Sequence, residues 1–175
     1  MKVKINTDGL DTEEQIKVHL AGQYLESVVN NPMFKDFVLN YKYEVGYYIG
    51  MLWWRKYYTK QQSKFTYTNL NNRQVWNKFI SGAETLSPEA DNEMDIYIKV
   101  DRRNRRGVIG YTYPASKFQW IYSWVLKKFS VEQIAGNIVH EWLHKIGFEH
   151  PFNRTIYRPF SVPYAIGDMV ANFNK

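Results

Sequence analysis

The sequence predicts a single α+β domain with one long helix near the C-terminus. Three observations carry that expectation. Val131, Ile134, Ala135, Ile138, Val139, Trp142, Leu143 and Ile146 recur at helical spacing over about 131–146. Just upstream, residues 95–100 and 108–113 alternate apolar and polar positions, and 118–126 form a longer β-prone run. The chain has 175 residues, 17% of them aromatic, with no Pro-rich or Gly/Ser-rich linker and no long charge block, which suits one packed domain.

The remaining elements follow in chain order. Residues 3–6 read as a first strand, and 12 to about 30 as an amphipathic helix with Ile16, Leu20 and Leu25 turned inward. His19 on that helix reads as a surface or half-buried residue. Residues 37–48 read as strand, the aromatic stretch near 53–67 shows no clear period, and 72–80 read as a helix with Val75, Trp76 and Phe79 on one side. Residues 101–107, with Arg102, Arg103, Arg105 and Arg106, read as a hairpin loop between the next two strands. Trp53 and Trp54, and the alternating Trp120, Tyr122 and Trp124, are expected in the core.

The long helix has defined ends. Ser130 with Gln133 forms a capping box, Glu132 adds negative charge to the first turn, Lys145 lies in the last turn, and Gly147 stands where a C′ glycine would. Residues 165–173 are a candidate terminal helix.

Residues 140–150 read His-Glu-Trp-Leu-His-Lys-Ile-Gly-Phe-Glu-His. Three of the chain's four histidines fall here. His140 and His144 are one helical turn apart, so their imidazoles project from one face and can share a metal. Gly147 can take positive φ, which lets the chain leave the helix sharply and return His150 as a third ligand. Three protein ligands leave a fourth position open, as in a catalytic zinc site. Glu141, offset by about 100°, is then placed to act as a general base on water and later as an acid towards a leaving amine. A fourth ligand from Glu149 or Asp168 would close the site and make it structural. Imidazole ligands also accept other divalent ions.

The pattern HExxHxxGxxH, complete across these eleven residues, resembles the signature of the metzincin zinc endopeptidases. That resemblance implies a zincin-like fold with an active-site helix under a twisted mixed sheet. It implies an antiparallel edge strand that lines the cleft, for which 107–113 is the candidate. It further implies zinc on His140, His144 and His150, Glu141 as catalytic base, and a peptide or protein substrate. The family places a Met-containing turn under the metal, with a Tyr two residues later in several members. Here either Val162 stands in the Met position with Tyr164 in the Tyr role, or Met169 supplies the turn. Pro151 after the third histidine indicates no particular subfamily. The upper part would span about 1–147 and a short lower part about 148–175. The cysteine of the family's propeptide latency has no counterpart in this chain, which contains no cysteine.

A formal charge of +6 and a pI near 9.3 allow weak attraction to anionic surfaces. The arginine loop, however, reads first as a solvated tip, so a nucleic-acid partner is not expected. Residues 1–6 lack the apolar core of a signal peptide and no stretch is long enough to span a bilayer, so no membrane partner is expected. The expected location is cytoplasmic, or outside by a signal-independent route. Two other readings remain: a zinc-bearing binding or structural protein without activity, and a zinc hydrolase of a non-protein amide such as a cell-wall peptide.

Overall fold

Strand β1 (Lys2–Asp8) leads into helix α1 (Thr12–Val29), which starts at a capping box between Asp11 and Glu14. The computed structural model describes residues 1–49, 56–103, 105, 107–113 and 115–175. The buried face of α1 is Val18, Ala21, Gly22, Leu25, Val28 and Val29. Ile16 and Leu20 were expected inward and instead lie exposed. The small residues at 21 and 22 let the helix approach the sheet, where Gly22 abuts Ile5 of β1, and this turns Ile16 and Leu20 to the outside. His19 is exposed.

The strand expected over 37–48 is corrected in its first part. Asn31 caps helix α2 (Pro32–Leu39) by accepting a hydrogen bond from the Met33 amide, and Pro32 supplies a helix-ready φ at the first position. Phe34 and Val38 are buried one turn apart, so burial of that pair overrides the β propensity of the segment. Strand β2 (Tyr43–Ile49) pairs antiparallel with β3 (Lys56–Gln62) in a separate two-stranded sheet. Trp53 and Trp54 lie outside the described residues. Helix α3 (Asn72–Ser81) forms where expected, with Val75 and Phe79 buried.

The main sheet contains β1, β4 (Glu93–Asp101), β5 (Gly110–Thr112) and β6 (Phe118–Tyr122) in the order β1-β4-β6-β5. The first three neighbours are parallel, and β5 runs antiparallel to β6 at the sheet's edge. The expected β4–β5 hairpin therefore does not form: β6 inserts between them. Tyr122 ends β6, and helix α4 (Ser123–Lys128) follows at once, so Trp124 lies on a helix rather than on a strand face shared with Trp120. Among the four loop arginines, Arg102 reaches Glu14 (2.7 Å from Nη2 to Oε2) and Arg103 pairs with Asp101 (2.7 Å). Arg102 ties the loop to α1, and Arg103 ties it to the end of β4.

Helix α5 (Val131–Lys145) begins at the Ser130/Gln133 capping box and packs between α1 and helix α6 (Val162–Ala171). Ile134, Ile138, Val139, Trp142 and Leu143 are buried along it and form the centre of the core. No helix among the described residues is long and apolar enough to cross a membrane.

Candidate metal centre

The site is built at the C-terminal end of α5. Gly147 takes φ +82°. Its amide donates to the His144 carbonyl (3.1 Å) and the Phe148 amide to the Leu143 carbonyl (3.0 Å). These are the two bonds of a Schellman motif, and its usual apolar contact is supplied by buried Leu143 and Phe148. The motif reverses the chain and brings His150 back to His140 and His144. The candidate ligand nitrogens of the three all lie within 4.8 Å of one another, and the histidines are half-buried.

Each imidazole is held from behind by a backbone carbonyl. Nδ1–H of His144 donates to Phe148 O at 2.7 Å, and that of His150 to Pro151 O at 3.1 Å. His140 bonds to the backbone of Pro163, which has only a carbonyl to offer. With Nδ1 protonated in His144 and His150, their Nε2 atoms present lone pairs, and the Pro163 carbonyl favours the same tautomer in His140. The Nε2 atoms of His140 and His150 stand 3.2 Å apart. Two neutral lone pairs at that distance repel unless a cation lies between them. Two imidazoles bound to one tetrahedral zinc at about 2.0–2.1 Å would place their nitrogens about 3.3–3.4 Å apart, so the separation fits a shared metal. The carbonyl bonds are the outer contacts that fix tautomer and ring orientation in metal sites. No carboxylate joins the cluster among the described residues, so Glu149 and Asp168 do not close it.

Electrostatics agree with the donor role. Burial, reinforced by the neighbouring imidazoles, holds the His140 pKa well below the usual value. Burial likewise lowers His144 to about 4 and lowers His150. All three are neutral near pH 7 and need lose no proton to bind a metal.

Glu141 is buried on the next position of α5, and its desolvation raises its pKa to about 8 against the pull of Lys145. It lines a cleft of about 820 Å³ together with the three histidines. Residues 107–113, including β5, form one wall; Tyr164, Gly167 and the segment from His150 to Arg158 form the other. The predicted edge strand thus does border the predicted ligands.

Tyr164 lies on the first turn of α6, its ring 4.6 Å from that of His140 and 4.8 Å from that of His150. Its hydroxyl accepts a hydrogen bond from Arg158 Nη2. Val162 is buried beside Pro163, whereas Met169 lies further along α6 against the core. Val162, not Met169, belongs to the turn that touches the histidines.

Four residues that shape the site escape a reading of the motif alone. Gly136 and Gly167 let α5 and α6 approach closely enough to bring Tyr164 to His140. Lys145 is buried, and its ammonium donates to the carbonyls of Tyr113, Ser116 and Phe118, fixing the connection between β5 and β6. Glu84 accepts from the Trp142 indole at 2.6 Å and ties a distant loop to α5. A glycine inside a helix is the one sequence signal for these, because it is unfavourable unless packing requires it.

No protein-family model matches the chain, and neither a curated protein nor a solved structure matches it. The resemblance to metzincins therefore stands on the eleven motif residues.

Proposed function

We propose that the chain is a zinc-dependent endopeptidase in which His140, His144 and His150 hold the metal and Glu141 is the general base. One observation carries the reading: three neutral imidazoles, each braced through a backbone carbonyl, converge beside a buried carboxyl on an open cleft. Zinc held there would supply Lewis acidity, polarising a carbonyl oxygen and acidifying water.

The chain's own residues supply the rest. Glu141 accepts a proton from the attacking water and later passes it to the leaving amine nitrogen, so it has to be ionised at the outset. Burial alone keeps it largely protonated near pH 7, and a metal cation held by the three histidines would favour the carboxylate. The outer edge of β5 offers backbone donors and acceptors to an extended peptide laid along the cleft. Tyr164, steadied by Arg158, is placed to donate to the oxyanion that develops at the attacked carbonyl.

The test is cleavage of an unbiased peptide mixture by the zinc-loaded chain, with Glu141→Gln alongside. The parent should cleave, and the variant should keep its zinc while losing about 10²–10⁴-fold in rate. Activity surviving in Glu141→Gln would sink the mechanism. No cleavage by the zinc-loaded parent would favour a zinc-bearing binding protein or a hydrolase of non-protein amides.

A further inference from the structure

Arg158 has more hydrogen-bonding capacity than the site around it uses. Its Nη1 donates to the Phe152 carbonyl at 2.8 Å and Nη2 to the Tyr164 hydroxyl, while Nε is sealed from solvent without a partner. A guanidinium carries five N–H donors and is matched best by a planar anion. Yet no ion pair among the described residues involves Arg158.

Its position is specific. The guanidinium carbon lies over the Tyr164 ring, 4.8 Å from the centroid, and that ring in turn rests on His140 and His150. One aromatic ring therefore separates an uncompensated cation from the candidate metal ligands, within the wall of the cleft. Its charge is felt at all three imidazoles, whose protonation it disfavours. Arg154 lines the same cleft, is exposed, and also lacks an ion pair among the described residues. In an unmodified peptide the anion available to such a group is a carboxylate.

We propose that Arg158 is a specificity-determining residue that binds a substrate carboxylate close to the scissile bond. The carboxylate is either an Asp or Glu side chain or the free C-terminus of the peptide. This inference rests on the peptidase reading for the substrate class, and it can fail separately from it.

Binding to the zinc-loaded Glu141→Gln chain, measured by calorimetry, tests it without requiring turnover. The probes are a neutral peptide with blocked termini, the same peptide with Glu at each position in turn, and the neutral peptide with a free C-terminus. A charge-assisted contact predicts binding about tenfold tighter or more for one acidic probe than for the neutral one. Which arm gains affinity identifies the carboxylate. Adding Arg158→Ala should abolish the preference, whereas adding Arg154→Ala should leave most of it. Arg158→Gln retains a donor for Tyr164 and part of the stem, and should lose the preference as fully as Arg158→Ala, which guards against a folding defect. Equal affinity for acidic and neutral peptides, or a preference that survives both Arg158 substitutions, overturns the proposal. Acid preference without cleavage by the parent overturns the peptidase reading alone, and cleavage without acid preference overturns this inference alone. Binding of no probe overturns both.

Discussion

Gly136 on α5 and Gly167 on α6 meet where the two helices pack: a Cβ at Gly136 would stand 2.5 Å from the Gly167 carbonyl oxygen and 2.8 Å from the Ala171 Cβ. The opposing effects of Gly136→Ala can be weighed. Alanine is the better helix former by about 1 kcal/mol. Overpacking against a backbone oxygen costs about 1–3 kcal/mol. The clash is with backbone, which cannot swing aside, so the variant is expected to be destabilised, by up to about 2 kcal/mol in chemical denaturation. Because α6 carries Pro163 and Tyr164 to the candidate metal site, zinc affinity should fall with it. A variant more stable than its parent would show that the helices do not pack this closely.

The metal-free protein should have a stability maximum near neutrality. The His144 pKa is depressed from 6.5 to about 4, so between those values the unfolded chain binds more protons and stability rises with pH. His140 and His150 act in the same direction. Glu141 is the opposite case. Its pKa is raised from 4.5 to about 8, so the folded chain holds the extra proton and stability falls as pH rises through that window. The histidine contribution is complete by about pH 6.5, and above it Glu141 acts without the histidines. Urea midpoints measured in chelator should therefore rise to about pH 6.5 and then decline towards 8. Glu141→Gln should remove the decline. A decline that persists in Glu141→Gln would assign it to another group.

Much of the candidate site was legible because its determinants are local. The spacing of His140 and His144, the Ser130 cap and the Gly147 exit all act within a few residues, and each formed as read. The sheet order was not legible in this way. Residues 95–100 and 108–113 suggested a hairpin because strands adjacent in sequence often pair, but parallel pairing of β4 with β6 placed β5 at the far edge. The turned face of α1 depended on Gly22 meeting Ile5, a contact between elements that periodicity does not encode. Arg158 has no distinguishing neighbours in the chain, and only the fold brings it to Tyr164.

Lys145 gives a prediction that separates packing from charge. Its buried ammonium donates to the Tyr113, Ser116 and Phe118 carbonyls, so its removal leaves three acceptors on the β5–β6 connection without that donor. Lys145→Met keeps the apolar stem and should destabilise the chain by about 1–3 kcal/mol. The effect should be strongest locally. Amide exchange should quicken in β5 and at 113 and 115–118 more than in β1, and a uniform change across the sheet would count against the clamp.

Zinc binding should be unusually tolerant of acid. Protons compete with a metal for imidazole nitrogen only as pH nears each histidine's pKa. Three ordinary histidines would begin to lose affinity steeply below about pH 6.5. Here burial lowers His144 to about 4 and lowers His140 and His150 as well, so proton competition should set in at lower pH than for three unperturbed histidines. The affinity can be followed by competition with a chromophoric chelator as the pH is lowered from neutrality. At a free zinc concentration one hundred times Kd, binding should stabilise the fold by about 2.7 kcal/mol, which a chelator should reverse. His144→Ala should weaken binding at every pH, because it removes a ligand rather than a competitor for protons. Affinity that falls about tenfold per histidine for each pH unit below 6.5 would mean that the imidazoles are not desolvated as the fold places them.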